Sequence, residues 1–154
     1  MKISNLIILL FITPLYFSCT GLFQTYADNI EVKEIESVKL EKIEILSRTI
    51  FLGINLKIIN KNSIDVELSN GSYDVYINGN YFGKGSFNDK KEIKKNNDTT
   101  ISLPVNSKVE DALLNLVQGG YKLNYKVSGT VKVKANNSSF NIPFEIEEGK
   151  LIIK

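Results

Sequence analysis

The sequence predicts a mainly β domain, an antiparallel β-sandwich with one short helix inserted at about residues 108–118. Three observations carry that expectation. Apolar and polar residues alternate over most of the chain, the signature of strands with one buried face. Turn-forming groups such as Asn78-Gly79 separate the alternating runs. A single segment abandons the period of two for that of a helix.

Residues 38–40 and 43–45 open the series with Val38, Leu40, Ile43 and Ile45. Ile54, Leu56 and Ile58 continue it up to the turn-like Asn60-Lys61-Asn62-Ser63. Tyr73, Val75 and Ile77 share one face of a strand that runs into Asn78-Gly79, a pair that accepts positive φ and favours a tight hairpin. Alternation sends Tyr76 to the face opposite Tyr73, so at least one of the two rings should meet solvent. The return strand holds Tyr81, Phe82, Gly83 and Gly85, and Ile101, Leu103 and Val105 mark the next one. Leu123, Tyr125, Val127, Val131 and Val133 alternate along a further strand, with Gly129 on their face at a bend or close backbone approach. Ile142, Phe144 and Ile146 follow the loop 136–139, and Gly149 turns the chain into a short final Leu151-Ile152-Ile153.

The helix is read from Val109, Ala112, Leu113, Leu116 and Val117, which fall at i, i+3, i+4, i+7 and i+8. Ser107 and Glu110 have the spacing of a capping box, and Gly119-Gly120 supplies a stop. Two facing sheets with one helix between long strands give an immunoglobulin- or fibronectin-like sandwich.

Ahead of this body stands a different kind of segment. Lys2 precedes an apolar run from Leu6 to Phe17, closed by Ser18 and Cys19, the one cysteine of the chain. That layout is a secretory signal. The cysteine directly after a small residue resembles a bacterial lipoprotein signal, although Tyr16 and Phe17 make the lipobox a relaxed one. An ordinary cleaved signal or an uncleaved anchor remains open. A secreted protein with one free thiol is unusual, however, and the run, broken by Pro14, is short for a span of ~20 residues. The expected organisation is a signal peptide over 1–18, lipidated Cys19 with a tether over 19–29, and one domain over 30–154. The protein is then held at a cell membrane or outer membrane, facing an extracytoplasmic compartment. The membrane is its first partner.

Removing residues 1–18 from the 154 leaves 136, enough for one domain with a core that needs no staple. Without Lys2, 18 basic residues face 17 acidic ones. Such a balance does not fit nucleic acid as a partner. No histidine occurs, which removes the commonest general base and metal ligand together. No catalytic, cofactor-binding or metal-binding residues are expected, and no cofactor. Residues 79–86 contain glycines and Lys84 but lack the spacing of a phosphate loop. The pairs Glu110-Asp111 and Glu147-Glu148 are neighbours in sequence that point different ways. The mixed charges of Asp89, Lys90, Lys91, Glu92, Lys94 and Lys95 read as a solvated hairpin end, or else as a weak contact with anionic headgroups.

The order of these elements resembles a known family. An Asn-x-Asn turn at residues 60–62 is followed by Val-Tyr-Ile-Asn-Gly at 75–79 and Gly-x-Gly at 83–85. Thr-Ile-Ser-Leu-Pro-Val at 100–105, the short helix, Tyr-Lys-Leu-Asn-Tyr-Lys-Val-Ser-Gly-Thr-Val at 121–131 and Ile-Pro-Phe at 142–144 complete the set. The set is similar to the group 2 late embryogenesis abundant domain, also called the water stress and hypersensitive response (WHy) domain. It covers residues 38–62, 73–85, 100–117, 121–133 and 142–149. The chain departs from the family's Asn-Pro-Asn turn by placing Lys61 where proline is common. The resemblance implies a non-enzymatic role in tolerance of desiccation or envelope stress, with protein or membrane clients that the sequence does not name. The competing expectation is a periplasmic or surface binding module, an adaptor that docks one protein partner, for example along a sheet edge.

Overall fold

The computed structural model of the protein describes residues 26–111 and 123–149. Eight strands follow one another: β1 (Ile30–Glu44), β2 (Thr49–Asn60), β3 (Val66–Ile77), β4 (Asn80–Phe87), β5 (Lys91–Ile93), β6 (Asn97–Lys108), β7 (Asn124–Ala135) and β8 (Ser138–Gly149). They form two antiparallel sheets, one ordered β1-β2-β6, the other β4-β3-β7-β8 with β5 also paired to β3. The expected sandwich is what forms. Because β7 takes one side of β3 along nearly its whole length, β4 and β5 share the other side as an interrupted strand.

Alternation dictates which side chains fill the space between the sheets. Ile54, Leu56 and Leu103 from one sheet and Val75, Val127 and Val133 from the other are completely buried. Each such side chain contributes about 1.5–3 kcal/mol by leaving water. At the margins, β4 lies along β6 and β1 lies along β8, so the sheets close on each other at both sides.

Strand β1 differs from the two short runs expected over 38–45. It is one strand, and register shifts between Val32 and Glu34, Ile35 and Ser37, and Leu40 and Lys42 break its period. Each shift inserts an extra residue. The inward positions Ile30, Ile35 and Val38 are consequently five and three apart, which no strand template matches. Ile43, the last residue but one of β1, is exposed, and Ile45 belongs to the turn that follows. Strand β5, read from sequence as part of a charged loop, pairs Val66 with Ile93 and buries the Ile93 side chain.

The Asn78-Gly79 hairpin forms as expected, with φ of 51° and 81° and Ile77 opposite Asn80. Gly129 stands opposite Tyr73, where a Cβ would run into the Ser72 carbonyl oxygen. The helix begins at Val109, directly after β6. Ser107, expected as its cap, is a buried residue of β6 paired with Ile50. Strand pairing with β2 simply continues one residue past the capping position. Ala112, Leu113, Leu116 and Val117 lie outside the described residues, as do Gly119-Gly120 and Leu151-Ile152-Ile153.

The strand directions sort the loops into two poles. One pole gathers residues 26–29, the β2–β3 turn and the β5–β6 turn, which hydrogen-bond to one another. The opposite pole carries the β1–β2 turn, the Asn78-Gly79 turn and the start of β7. The 12 residues of β2 separate the poles by roughly 40 Å.

Candidate functional site

Cys19, the residue singled out for lipidation, lies outside the described residues. The other sequence candidates can be placed. Of the glycines of residues 79–86, Gly79 makes the hairpin turn, while Gly83 and Gly85 serve packing between the sheets. Gly85 faces β6, and the Tyr73 hydroxyl fills the space that a Cβ would need. That hydroxyl donates to the Pro104 carbonyl oxygen on the β6 edge. At Gly83 a Cβ would meet the Asn106 carbonyl oxygen at 2.5 Å. Burial, with the Glu41 carboxylate nearby, holds the Tyr73 phenol well above its ordinary pKa. Burial alone pushes Tyr125 up to about 12.

The aromatic group around this hairpin divides as alternation requires. Tyr73, Phe82 and Phe87 are buried. Tyr76 lies half-buried on the outer face and meets the exposed Tyr81 edge-on, with ring centroids 5.6 Å apart.

Two of the four paired carboxylates have structural partners. Glu110 bonds its own backbone N–H and takes Arg48 Nη1 at 3.1 Å, which lowers its pKa in that order of effect. It therefore does not complete the capping box. Glu148 Oε1 accepts the Ile35 N–H at 3.3 Å, tying β8 to β1 across the margin of the sandwich. Among the described residues, no three His, Cys, Asp or Glu side chains come together in a way that could hold a metal ion.

In the charged loop, Lys94 pairs with Asp65 at 3.0 Å and Glu92 at 2.8 Å, while the Lys95 N–H donates to Asp65 Oδ1 at 2.8 Å. The Lys95 backbone bond first, and then the Lys94 side chain, lower the Asp65 pKa. The loop is thus ordered on the pole that carries residues 26–29.

Two features escaped sequence reasoning. The first is a buried amide hub. Asn60, with no exposure, donates through Nδ2 to the carbonyls of Ile64 (2.9 Å), Ile93 (3.1 Å) and Lys94 (3.2 Å), and its Oδ1 accepts the Asn62 N–H at 3.0 Å. Asn62 Nδ2 reaches the Tyr26 carbonyl at 3.1 Å. Lys61, in the position where proline is common, donates its backbone N–H to the Asn29 carbonyl at 2.8 Å. A proline could not make that bond.

The second is the β1–β2 turn at the other pole. Of the five large hydrophobic residues exposed among the described ones, Leu40, Ile43, Ile45 and Leu46 fall within seven positions, with Ile45 84% and Leu46 100% exposed. The backbone beneath them is held firmly. Arg48 takes φ of 49° and bonds the Ile45 carbonyl, and Ser47 Oγ donates to Glu44 Oε2 at 2.7 Å. The Ser47 carbonyl accepts Thr49 Oγ1 and Lys108 Nζ, both at 3.1 Å, and the Arg48 carbonyl accepts the Val109 N–H at 2.9 Å.

A family model described as late embryogenesis abundant protein matches residues 55–148. The solution structure of an Arabidopsis thaliana protein superposes with a TM-score of 0.63 at 14% identity, covering 80% of this chain and 85% of that one. The solution structure of a late embryogenesis abundant protein does so with a TM-score of 0.55 at 14% identity, covering 86% and 78%. A crystal structure of a protein from Archaeoglobus fulgidus gives a TM-score of 0.50 at 17% identity, covering 77% and 98%. At these identities the likeness establishes the fold. No curated protein matches the chain.

Proposed function

We propose, from the premise that the chain belongs to the late embryogenesis abundant protein family, that it is a non-enzymatic envelope protein of the WHy type. It is lipid-anchored through Cys19 and protects proteins or membranes during water loss or envelope stress. The family match over most of a folded sandwich carries the protective part of this reading. Disordered hydrophilic chains protect by solvating, but this one buries a continuous apolar core, so its action must come from a folded surface. The anchoring part rests on the order Lys2, apolar run, Ser18, Cys19.

An adaptor that offers a sheet edge is the weaker reading. β1 lies along β8 and β4 along β6, and the β1 edge is further broken by three register shifts.

The test uses residues 20–154, which retain all eight strands and every core residue named above. Lactate dehydrogenase dried and rehydrated beside this chain should keep more activity than beside an equal mass of an unrelated β-sandwich domain. Equal recovery in the two samples would remove the protective reading.

A further inference from the structure

The chain contains asparagine followed by glycine twice, at Asn70-Gly71 and at Asn78-Gly79. Asparagine is a chemically labile residue, and glycine is the neighbour that shields it least. With no Cβ in the way, the glycine backbone nitrogen can close on the asparagine side-chain carbon. The sequence makes the two pairs alike, but the fold holds them differently.

Asn70 and Gly71 lie within β3, which is paired on both sides. Gly71 stands opposite Phe87 of β4 and Val131 of β7, and Asn70 opposite Lys132. Bringing the Gly71 nitrogen to the Asn70 side chain means rotating the backbone out of its extended form, which breaks ladder bonds in the middle of the sheet. Packing resists as well, since a Cβ on Gly71 would already collide with the Phe87 ring and the Thr130 carbonyl oxygen.

Asn78 and Gly79 are instead the two central residues of the hairpin turn, with φ of 51° and 81°. The ladder stops at Ile77 and Asn80, so rotation between Asn78 and Gly79 costs the turn alone. Among the described residues, nothing lies within 4 Å of where a Gly79 Cβ would stand. The Asn124 N–H donates to Asn78 Oδ1 at 3.0 Å. That oxygen gathers negative charge when the side-chain carbon is attacked, and a donor fixed on it lowers the barrier. Exposure alone would give the opposite order, because Asn70 is exposed and Asn78 half-buried.

We infer that Asn78 is a site of spontaneous covalent modification, and that the sheet protects Asn70 from the same reaction. The Gly79 nitrogen loses its proton to hydroxide and bonds to Asn78 Cγ. The bond from Cγ to Nδ2 breaks, and Nδ2 takes a proton from water and leaves as ammonia. The cyclic imide that remains is opened by water at either carbonyl. One opening gives aspartate, and the other gives isoaspartate, whose main chain runs through the side-chain carbon. Water is consumed, ammonia is released, and nothing is oxidised or reduced. Isoaspartate lengthens the main chain of a tight loop, which disturbs the pairing of Ile77 with Asn80 and the tie to Asn124. This inference is independent of the protective reading.

The test incubates the full chain, purified in detergent, at mildly alkaline pH with and without guanidinium chloride. Tandem mass spectrometry of its peptides then assigns each conversion of amide to acid to residue 70 or 78. Without denaturant, Asn78 should convert about tenfold faster than Asn70, or more. In guanidinium chloride, which removes the sheet, the two rates should become alike. Equal rates in the folded protein, faster conversion of Asn70, or no conversion of Asn78 while the denatured chain reacts would each overturn the assignment. An unchanged ratio in denaturant would overturn it too, because the cause would then lie in local sequence and not in the fold.

Discussion

The Tyr73 hydroxyl crosses over Gly85 to donate to the Pro104 carbonyl, joining the two sheets where β4 runs along β6. All three residues suit this arrangement. Pro104 pairs with Gly53 in β2 but has no N–H to leave unsatisfied on the open side of β6. Gly85 removes the side chain that would obstruct the phenol. Tyr73→Phe keeps the ring and deletes the bond, so it should lower stability by about 0.5–1.5 kcal/mol in urea titration. Gly85→Ala should cost more, about 1–3 kcal/mol, because the added methyl meets both the phenol and the Pro104 backbone.

The same phenol sets a limit at high pH. Its folded pKa is raised above the free value of about 10. The stability linked to it is therefore complete below about pH 10 and is lost as the pH rises through the folded value. Tyr125, at about 12, acts in the same direction. Phenolate absorbance should show the two buried tyrosines titrating late, together with loss of the folded state. In Tyr73→Phe one of these late steps should disappear.

The amide hub yields a prediction against the family pattern. Lys61→Pro would pre-form the turn but remove the donor to the Asn29 carbonyl, so it should destabilise by about 1 kcal/mol. Asn60→Ala leaves the Ile64, Ile93 and Lys94 carbonyls without their side-chain donor and should cost about 1–3 kcal/mol. Thermal melting of both variants beside the wild type checks the order.

Much of the fold was legible because its long strands bury one face. The period of two placed β2, β6, β7 and the β3–β4 hairpin. It failed at β1, where each bulge moves the inward face by one residue, and at β5, whose three residues include two charges. The Asn60-Lys61-Asn62 turn was recognised for local bonding. Its partners at Ile93 and Lys94 lie more than 30 positions away, and only the tertiary fold brings them close. The exposed apolar β1–β2 turn was hidden for a related reason. Ile43 and Ile45 look like strand residues, and nothing local shows that the strand ends between them.

Anchoring is separable from folding. Cys19→Ala should block lipidation and maturation while leaving the circular dichroism of the domain unchanged and mostly β. Intact-mass analysis and detergent partitioning of the two proteins should differ by the acyl chains, at about 0.8 kcal/mol of membrane affinity per buried methylene. An alanine variant that still matures and enters the detergent phase would end the lipoprotein proposal.

Whether protection comes from the folded surface can be measured with one broken core. Val127 is a completely buried residue of β7, and Val127→Asp places a charge there that should unfold the domain. Lactate dehydrogenase is dried and rehydrated beside equal masses of residues 20–154 with and without this substitution. Recovery should be high beside the folded chain and fall to the level of buffer beside the unfolded one. Equal recovery would mean that the polypeptide protects as a solvating coil, and a role for the folded surface would be contradicted.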